Sequence, residues 1–217
     1  MKATDRVGPA ADLKDKAYKR AFDLAFLLAA HVLLLPLWLL LWTIIPLMIL
    51  IDDGRPIFFK QSRIGKKGKV FDVYKFRTMV RDAEAKTGPV WATANDPRIT
   101  KFGRILRSTA LDEMPQVINI LKGDMSFVGP RAERPELHRQ FASRIQNFDL
   151  RLTVRPGLTG LAQISGAYNM KPEDKLKHDL EYIRVMSPIV DSKLIIKSAF
   201  YTVFRKWDER ESSRTKT

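Results

Sequence analysis

LAFLLAAHVLLLPLWLLLWTIIPLMILI, residues 24–51, carries no side chain that can be charged apart from His31. About 20 apolar residues are enough to cross a bilayer as a helix, so this stretch is long enough. It lacks a small-residue cleavage site and is too long for the apolar region of a signal peptide. Pro36 and Pro46 interrupt it, and a proline inside a helix removes a hydrogen bond and bends the axis. We therefore predict a membrane helix with a break.

Basic residues flank this stretch on both sides. They are Lys14, Lys16, Lys19 and Arg20 before it, and Arg55, Lys60, Arg63, Lys66, Lys67 and Lys69 after it. Lysine and arginine accumulate on the cytoplasmic side of membrane segments, so both ends are predicted on that face. A hairpin over residues 19–53 that enters the membrane, breaks at Pro36 and returns satisfies both flanks. A single span and a buried hairpin of a soluble protein are the alternatives.

The composition limits the chemistry. The chain has 217 residues and a formal net charge of +14, which predicts an anionic partner such as nucleic acid, an acidic membrane or a phosphorylated small molecule. Cysteine is absent, which excludes disulfides, thiolate metal sites and a cysteine nucleophile. The three histidines lie far apart in sequence and argue against a histidine zinc site or a compact histidine-dependent triad.

Short strands and helices alternate after the apolar stretch. The pattern predicts an α+β fold, in which a small mixed domain over residues 54–188 is carried on the membrane hairpin and follows a polar segment, residues 1–18. The predicted strands cover two segments of residues 55–79 joined by a turn at 65–68, then MSFV at 125–128 and LAQIS at 161–165. The predicted helices cover residues 100–107, 110–122, 135–150 and 172–186.

Residues 189–217 predict an amphipathic helix and a tail. Its apolar face would carry Ile196, Phe200, Val203, Phe204 and Trp207, bordered by Lys193 and Lys197. A helix lying in the headgroup layer has this pattern, and so has a helix packed on a protein core. We favour the interfacial helix because another membrane element is already predicted.

TALDEMPQVINIL, residues 109–121, places Asp112 and Glu113 side by side in a basic chain. Both would lie in the first turn of a helix, where free N–H groups and the helix dipole favour negative charge. Acidic caps are common there, so position alone does not establish a catalytic pair. The helix before it repeats a cation every third residue, and a solvated face explains that repeat equally well. The members are Arg98, Lys101, Arg104 and Arg107.

A basic cleft that holds an acidic pair suits phosphoryl chemistry on a diphosphate. Mg²⁺ between carboxylate and phosphate removes their repulsion, and arginines neutralise the remaining charge. Aspartate can also act as a nucleophile and form an acyl phosphate. Arg131 in GPRAERP and Arg155 in VRPGLTG lie in loops braced by proline and glycine, which suits bidentate phosphate contact. The remaining candidate phosphate-binding residues are Arg104 and Arg107 of the preceding helix, and Lys75 and Arg77 in YKFRTM.

Together these stretches resemble the bacterial monotopic phosphoglycosyl transferases, the bacterial sugar transferase family of undecaprenyl-phosphate sugar phosphotransferases. The matching strings are KRAFDLAFLLAAHVLLLP, YKFRTM, DPRITKFGRILRSTALDEMPQVINILKGDMSFVGPR, VRPGLTGLAQISG and HDLEYI. The chain departs from the family pattern at Ala132, where proline is usual, and at Leu35 and Ala110, where serine is frequent.

The resemblance implies transfer of a hexose 1-phosphate from a UDP-sugar to polyprenyl phosphate, giving a polyprenyl-diphosphate sugar and UMP. It implies a two-step, ping-pong reaction in which Asp112 is the nucleophile and Glu113 its partner, with Mg²⁺ at the pair. Arg131 would lie near the nucleotide, and Pro36 would break the re-entrant helix. The catalytic domain, residues 54–188, would face the cytoplasm at the bacterial inner membrane, with anionic phospholipid and a second copy of the chain as further partners.

Three rival interpretations remain at the level of sequence. The first is a direct-displacement transferase that uses the acidic pair only as metal ligands. The second is a membrane-tethered nucleic-acid-binding module that stacks bases on Phe71, Tyr74 and Phe76. Their alternation fits a half-buried strand better, and we expect no nucleic-acid partner. The third is a scaffold without catalysis. The identity of the sugar is not readable, although GPRAERPE points weakly to hexose transfer.

Overall fold

The computed structural model describes residues 13–83, 85, 96–165 and 170–204. The helices within them are α1 (Tyr18–Leu33), α2 (Leu35–Asp53), α3 (Lys101–Ser108), α4 (Val117–Lys122), α5 (Pro135–Ala142), α6 (Leu161–Ser165), α7 (Pro172–Val185) and α8 (Pro188–Phe204). The strands are β1 (Phe58–Ile64), β2 (Val70–Phe76), β3 (Ser126–Val128) and β4 (Gly157–Thr159). The mixture of helices and short strands agrees with the predicted α+β composition. The predicted polar segment of residues 1–18 and the C-terminal tail lie largely outside the described residues.

The apolar stretch forms two helices that meet at Leu34. Pro36 occupies the first turn of α2, where a missing N–H costs little because no intrahelical acceptor faces it. A continuous helix would need that N–H and would clash with the proline ring, so the helix ends just before it. Residues 32–37 around the break expose their side chains. Pro46 lies inside α2 without ending it.

Both helices of the hairpin attach to the same domain through the ends remote from the break. Asp23 of α1 accepts hydrogen bonds from Ser126 Oγ at 2.9 Å and from the Phe127 amide at 3.1 Å. Ile45 and Ile49 of α2 are buried in an apolar cluster on the domain. Among the described helices, α2 alone is long and apolar enough to cross a membrane, and few of its side chains are buried.

The strands form two small sheets. β1 and β2 make the predicted antiparallel hairpin, in register from Phe58 opposite Phe76 to Ile64 opposite Val70. β3 and β4 pair in parallel. Lys75 lies in β2 of the first sheet, and Arg131 lies in the loop that follows β3 of the second sheet. Both sheets therefore position candidate site residues.

Two glycines allow the chain after β3 to approach β4 closely. A Cβ on Gly157 would lie 2.1 Å from the backbone nitrogen of Gly129, a distance that no side chain tolerates. A Cβ on Gly129 would lie 2.4 Å from the carbonyl oxygen of Arg155. This contact fixes the start of the loop that carries Arg131.

Two predictions of secondary structure are wrong. LAQIS forms the helix α6 rather than a strand, and the strand is the preceding Gly157–Thr159. A short apolar run has no period long enough to separate the two structures. The helix predicted over residues 135–150 ends at Ala142, and a 3-10 turn, Phe148–Thr153, follows.

The C-terminal helix α8 has a buried side and an exposed apolar side. Asp191 and Leu194 are buried, while Ile189, Ile196 and Phe200 are exposed by 55% or more. The exposed set includes two residues of the predicted apolar face. Trp207 of that face lies outside the described residues, as do the side chains at positions 203 and 204.

Candidate active site

The acidic pair lies in a 3-10 turn, Leu111–Gln116, that leads into α4. Asp112 and Glu113 fall in the first turn, as predicted. Ala110 precedes the turn with a left-handed backbone, φ 53°, and no side chain caps it. Thr109 instead donates its hydroxyl to the Ile105 carbonyl at 2.8 Å.

Glu113 is held by two cations. Lys75 Nζ lies 2.6 Å from Glu113 Oε1, and the Arg131 guanidinium lies 3.1 Å from the same oxygen. Lys75 comes from β2 and Arg131 from the loop after β3, so three separate segments of the chain meet at this carboxylate. Burial by itself would raise the pKa of Glu113, but Lys75 and then Arg131 outweigh it and hold the pKa below its usual range. Glu113 is therefore ionised and fixed in place.

Asp112 is in a different condition. Its nearest cation, Lys75 Nζ, is 3.9 Å away, and within the described residues no group donates a hydrogen bond to its carboxylate. Only 8% of the residue is exposed. Burial raises the pKa of Asp112 to about 6, Lys75 opposes the rise, and the charge of Glu113 adds to it. The pKa of this carboxylate therefore lies close to neutral pH, and its oxygens are available to a substrate.

Cations surround the pair on its other sides. Arg107 of α3 lowers the pKa of Asp112 by its charge and is fixed by a 2.9 Å hydrogen bond from its Nε to Thr78 Oγ1. Arg63, which the sequence analysis did not select, lines a pocket with Lys75, Glu113 and Arg131. Its only signal in the sequence is its place near the end of β1, next to a motif rich in basic residues.

The other predicted phosphate-binding residues lie in different surroundings. Arg77 ties down the end of α2 through an ion pair with Asp53 at 3.0 Å. Arg155 pairs with Asp15 at 2.8 Å, beside the start of α1. Arg104 is exposed on α3. These positions give no support to phosphate contact by Arg77 or Arg155, since both terminal nitrogens of Arg77 donate to backbone carbonyls and Arg155 donates to Asp15.

A buried arginine braces the loop that carries Arg131. Arg151 donates to Asp179 Oδ2 at 2.9 Å from its Nε and at 2.9 Å to the carbonyl of Arg131. Only 4% of Arg151 and 2% of Asp179 are exposed. The sequence analysis missed both residues, because nothing local in the sequence shows that residues 28 positions apart pair in the core.

The pair lies next to the second helix of the hairpin. Leu111 and Met114, which bracket the two carboxylates in the chain, pack against the apolar cluster that contains Ile45 and Ile49 of α2. The site is therefore neither in a dry apolar interior nor remote from the apolar hairpin. It offers a free carboxylate, a fixed carboxylate and several cations within one small volume, a set suited to attack on a phosphate ester.

The comparisons with known proteins agree with this chemistry. A family model described as bacterial sugar transferase matches residues 14–206. The chain is 41% identical over 196 residues to the UDP-glucose:undecaprenyl-phosphate glucose-1-phosphate transferase of Escherichia coli (strain K12), an alignment that covers 88% of this chain and 40% of the relative. The chain thus spans less than half of that relative.

Two further relatives are covered by this chain to different extents, and one of them names N-acetylgalactosamine. The UDP-N-acetylgalactosamine-undecaprenyl-phosphate N-acetylgalactosaminephosphotransferase of Aeromonas hydrophila is 37% identical over 183 residues, covering 83% of this chain and 42% of the relative. The exopolysaccharide production protein PSS of Rhizobium leguminosarum bv. phaseoli is 38% identical over 189 residues, covering 83% of this chain and 92% of the relative.

Proposed function

The chain belongs to the bacterial sugar transferase family, and on that premise we propose that it transfers a hexose 1-phosphate from a UDP-sugar to undecaprenyl phosphate. The products would be a polyprenyl-diphosphate sugar and UMP, and the reaction would be the first membrane step of exopolysaccharide synthesis. The observation that carries this proposal is the contrast within the acidic pair. Glu113 is held by Lys75 and Arg131, while the Asp112 carboxylate accepts no hydrogen bond from the described residues.

The contrast supports a two-step reaction. In the first step an Asp112 oxygen attacks the β-phosphorus of the UDP-sugar, and the bond from that phosphorus to the bridging oxygen breaks. UMP leaves with the electron pair of that bond, and the sugar phosphate is joined to Asp112 as an acyl phosphate. In the second step a phosphate oxygen of the lipid attacks the same phosphorus, and the bond to Asp112 breaks. Lys75 and Arg131 are placed to stabilise the charge on the phosphoryl group in both steps.

The pair also fits a magnesium ion. Mg²⁺ is commonly held by one or two carboxylates together with substrate phosphates, rather than by a full cage of protein ligands. Asp112 and Glu113 supply such a set, and no larger cluster of His, Cys, Asp and Glu occurs in the part of the chain that the structure describes. When bound there, the ion would neutralise phosphate charge and reduce its repulsion of the attacking carboxylate.

We propose that the hairpin is re-entrant and that the domain lies on the cytoplasmic face of the bacterial inner membrane. A helix that spans the bilayer separates its ends by the full hydrocarbon thickness, about 30 Å. Here both ends, represented by Asp23 and Ile49, are anchored on one small domain, and the exposed apolar residues gather around the break. The net charge of +14 suits anionic phospholipid at that surface.

The test is release of UMP by the purified chain in the presence of polyprenyl phosphate, across a panel of UDP-sugars and with or without Mg²⁺. We expect continued release over many turnovers with at least one UDP-hexose, dependent on both the lipid acceptor and the metal. No release with any member of the panel, under conditions in which the chain is folded, would contradict the transferase. Which sugar works best would also assign the substrate.

A further inference from the structure

A small pocket opens beside Glu113 on the side of the first sheet. Its cationic side chains are Arg63, Lys75 and Arg131, and its remaining wall is made by Val73, Gln116, Met125, Ala132 and Gly157. Three cations against one carboxylate leave a net positive charge in a partly enclosed space. Such a pocket favours an anion, and an anion of more than one charge in particular.

Arg63 is the cation of this pocket to which the proposed reaction assigns no role. One terminal nitrogen donates to the Ala132 carbonyl at 2.9 Å, and the other donates to Gln61 Oε1. The Nε–H is shielded from solvent, yet among the described residues nothing accepts its hydrogen bond. A buried donor without an acceptor destabilises the fold, so such a group usually has a functional reason.

The surroundings of Arg63 disfavour its positive charge. Burial, and after it the neighbouring charge of Arg131, lower the pKa of its guanidinium to about 10, while Glu133 opposes both. Two guanidinium groups that crowd one another are stabilised by an anion between or beside them. This electrostatic observation agrees with the geometry of the unpaired Nε–H, and both indicate a phosphate.

The order of groups along the pocket assigns which phosphate. Lys75 contacts both carboxylates and marks the end where Asp112 attacks. Of the two carboxylates Arg131 pairs with that of Glu113, while Arg63 contacts the Arg131 loop at Ala132 and forms no ion pair with either carboxylate. A diphosphate whose β-phosphorus faces Asp112 therefore directs its other phosphate toward Arg63.

We propose that Arg63 binds the α-phosphate of the UDP-sugar and stays in contact with it when it leaves as UMP. This rests on the proposed function, since it presumes that Asp112 attacks the β-phosphorus. The phosphate that leaves gains negative charge as its bridging bond breaks, and a cation held beside it stabilises that charge. Arg63 is therefore a substrate-binding residue for the first step rather than the second.

The experiment measures the affinity of the full-length chain for UMP and for uridine, by titration calorimetry or by competition against a UDP-sugar. The variants are Arg63→Gln and Arg63→Lys. The control is Lys60→Gln, which removes a charge from the same strand at an exposed position over Tyr74. We expect Arg63→Gln to weaken UMP roughly 10–100-fold, as for a charge-assisted hydrogen bond, and to leave uridine unchanged. Arg63→Lys should recover part of the loss, and Lys60→Gln should lose less than threefold.

The ratio of the UMP affinity to the uridine affinity distinguishes phosphate binding by Arg63 from structural support of the loop at Ala132. If Arg63 only held Ala132 in place, UMP and uridine would weaken together, and the proposal would be overturned. Unchanged UMP affinity in Arg63→Gln would overturn it equally. Failure of the transferase itself has another signature, since the wild-type chain would then release no UMP from any UDP-sugar.

Discussion

Two buried aspartates in this chain have opposite surroundings. Asp191 of α8 is fully buried and accepts hydrogen bonds from Lys19 Nζ at 2.9 Å, Tyr18 at 2.9 Å and Tyr182 at 2.8 Å. Asp112 is almost as buried, yet its nearest cation is 3.9 Å away. The lone pairs of Asp191 are occupied by donors from two helices, α1 and α7, whereas no group among the described residues donates a hydrogen bond to the Asp112 carboxylate.

The difference separates a carboxylate that stabilises the fold from one that can react. A buried carboxylate with several donors is costly to disturb and chemically inert, because its oxygens are already engaged. A buried carboxylate without donors is strained, and such strain concentrates at functional sites. The comparison therefore predicts that the two aspartates respond in opposite ways to the same substitution.

The largest expected effect is on catalysis at Asp112. Asp112→Asn keeps the shape of the side chain but removes the carboxylate that we propose as the nucleophile, so UMP release should fall at least about 10³-fold. The measurement is UMP release with the preferred UDP-sugar, together with trapping of labelled sugar phosphate on the protein in the absence of lipid acceptor. An Asp112→Asn chain that keeps most of its turnover would exclude the nucleophile and favour direct displacement.

The next effect is on stability at Asp191. Asp191→Asn leaves the Lys19 ammonium buried without its counter-charge, which should cost about 3–5 kcal/mol. Thermal unfolding of the purified chain in detergent would report a markedly lower Tm. Asp174→Asn is the matched control, because its pair with Lys177 is exposed and should contribute nothing measurable. Equal shifts in the two variants would remove the contrast between buried and exposed pairs.

At Asp112 the same substitution should stabilise the fold. The folded pKa of about 6 lies above the ordinary value, so the stability that this group contributes is fully present below about pH 4. It is lost as the pH rises through about 6, where the folded chain carries a poorly compensated charge. Asp112→Asn should therefore raise stability by about 1–3 kcal/mol at pH 7.5 and change little at pH 4.

Glu113→Gln is expected to change the stability of the fold in the opposite direction to Asp112→Asn. The pKa of Glu113 is lowered by Lys75 and Arg131 against its burial, so its carboxylate stabilises the fold at neutral pH. Glu113→Gln should lower the Tm at pH 7.5 where Asp112→Asn raises it. Unfolding curves of both variants at pH 7.5 that shift in the same direction would contradict the distinction between the two carboxylates.

The smallest effect is on the pH dependence of turnover. The attacking carboxylate must be ionised, so kcat/KM should fall about tenfold per unit below an inflection near pH 6. Lys75→Met removes a charge that lowers the pKa of Asp112, and its inflection should move to higher pH. A profile that is flat down to pH 4.5 would show that Asp112 does not titrate during the rate-limiting step.

Much of the fold was predictable because its signals are local. The break at Pro36, the hairpin of β1 and β2, and the acidic pair in the first turn of a helix each depend on a few adjacent residues. The strand at Gly157–Thr159 was not predictable, since its pairing depends on the backbone approach of Gly129, far away in sequence.

The site was only partly predictable because its contacts are long-range. Their motif is enough to select Asp112 and Glu113 as candidate site residues. It does not predict the contact with Lys75, because Lys75 lies 38 positions from Glu113 in the sequence. Arg77 and Arg155 lie in motifs that resemble the surroundings of Arg131, yet each forms an ion pair elsewhere in the molecule. Nothing local distinguishes an arginine that faces a pocket from one that ties a helix to the domain.

The packing of Leu111 and Met114 against the apolar cluster that contains Ile45 and Ile49 of α2 has a consequence for how the molecule would find a lipid acceptor. With the hairpin seated in a bilayer, the two carboxylates are held at one fixed height above the acyl chains and cannot tilt away from it. Encounters with the acceptor then take place by lateral diffusion in two dimensions. Turnover should accordingly follow the number of acceptor molecules per unit area of membrane, rather than their concentration in the suspension.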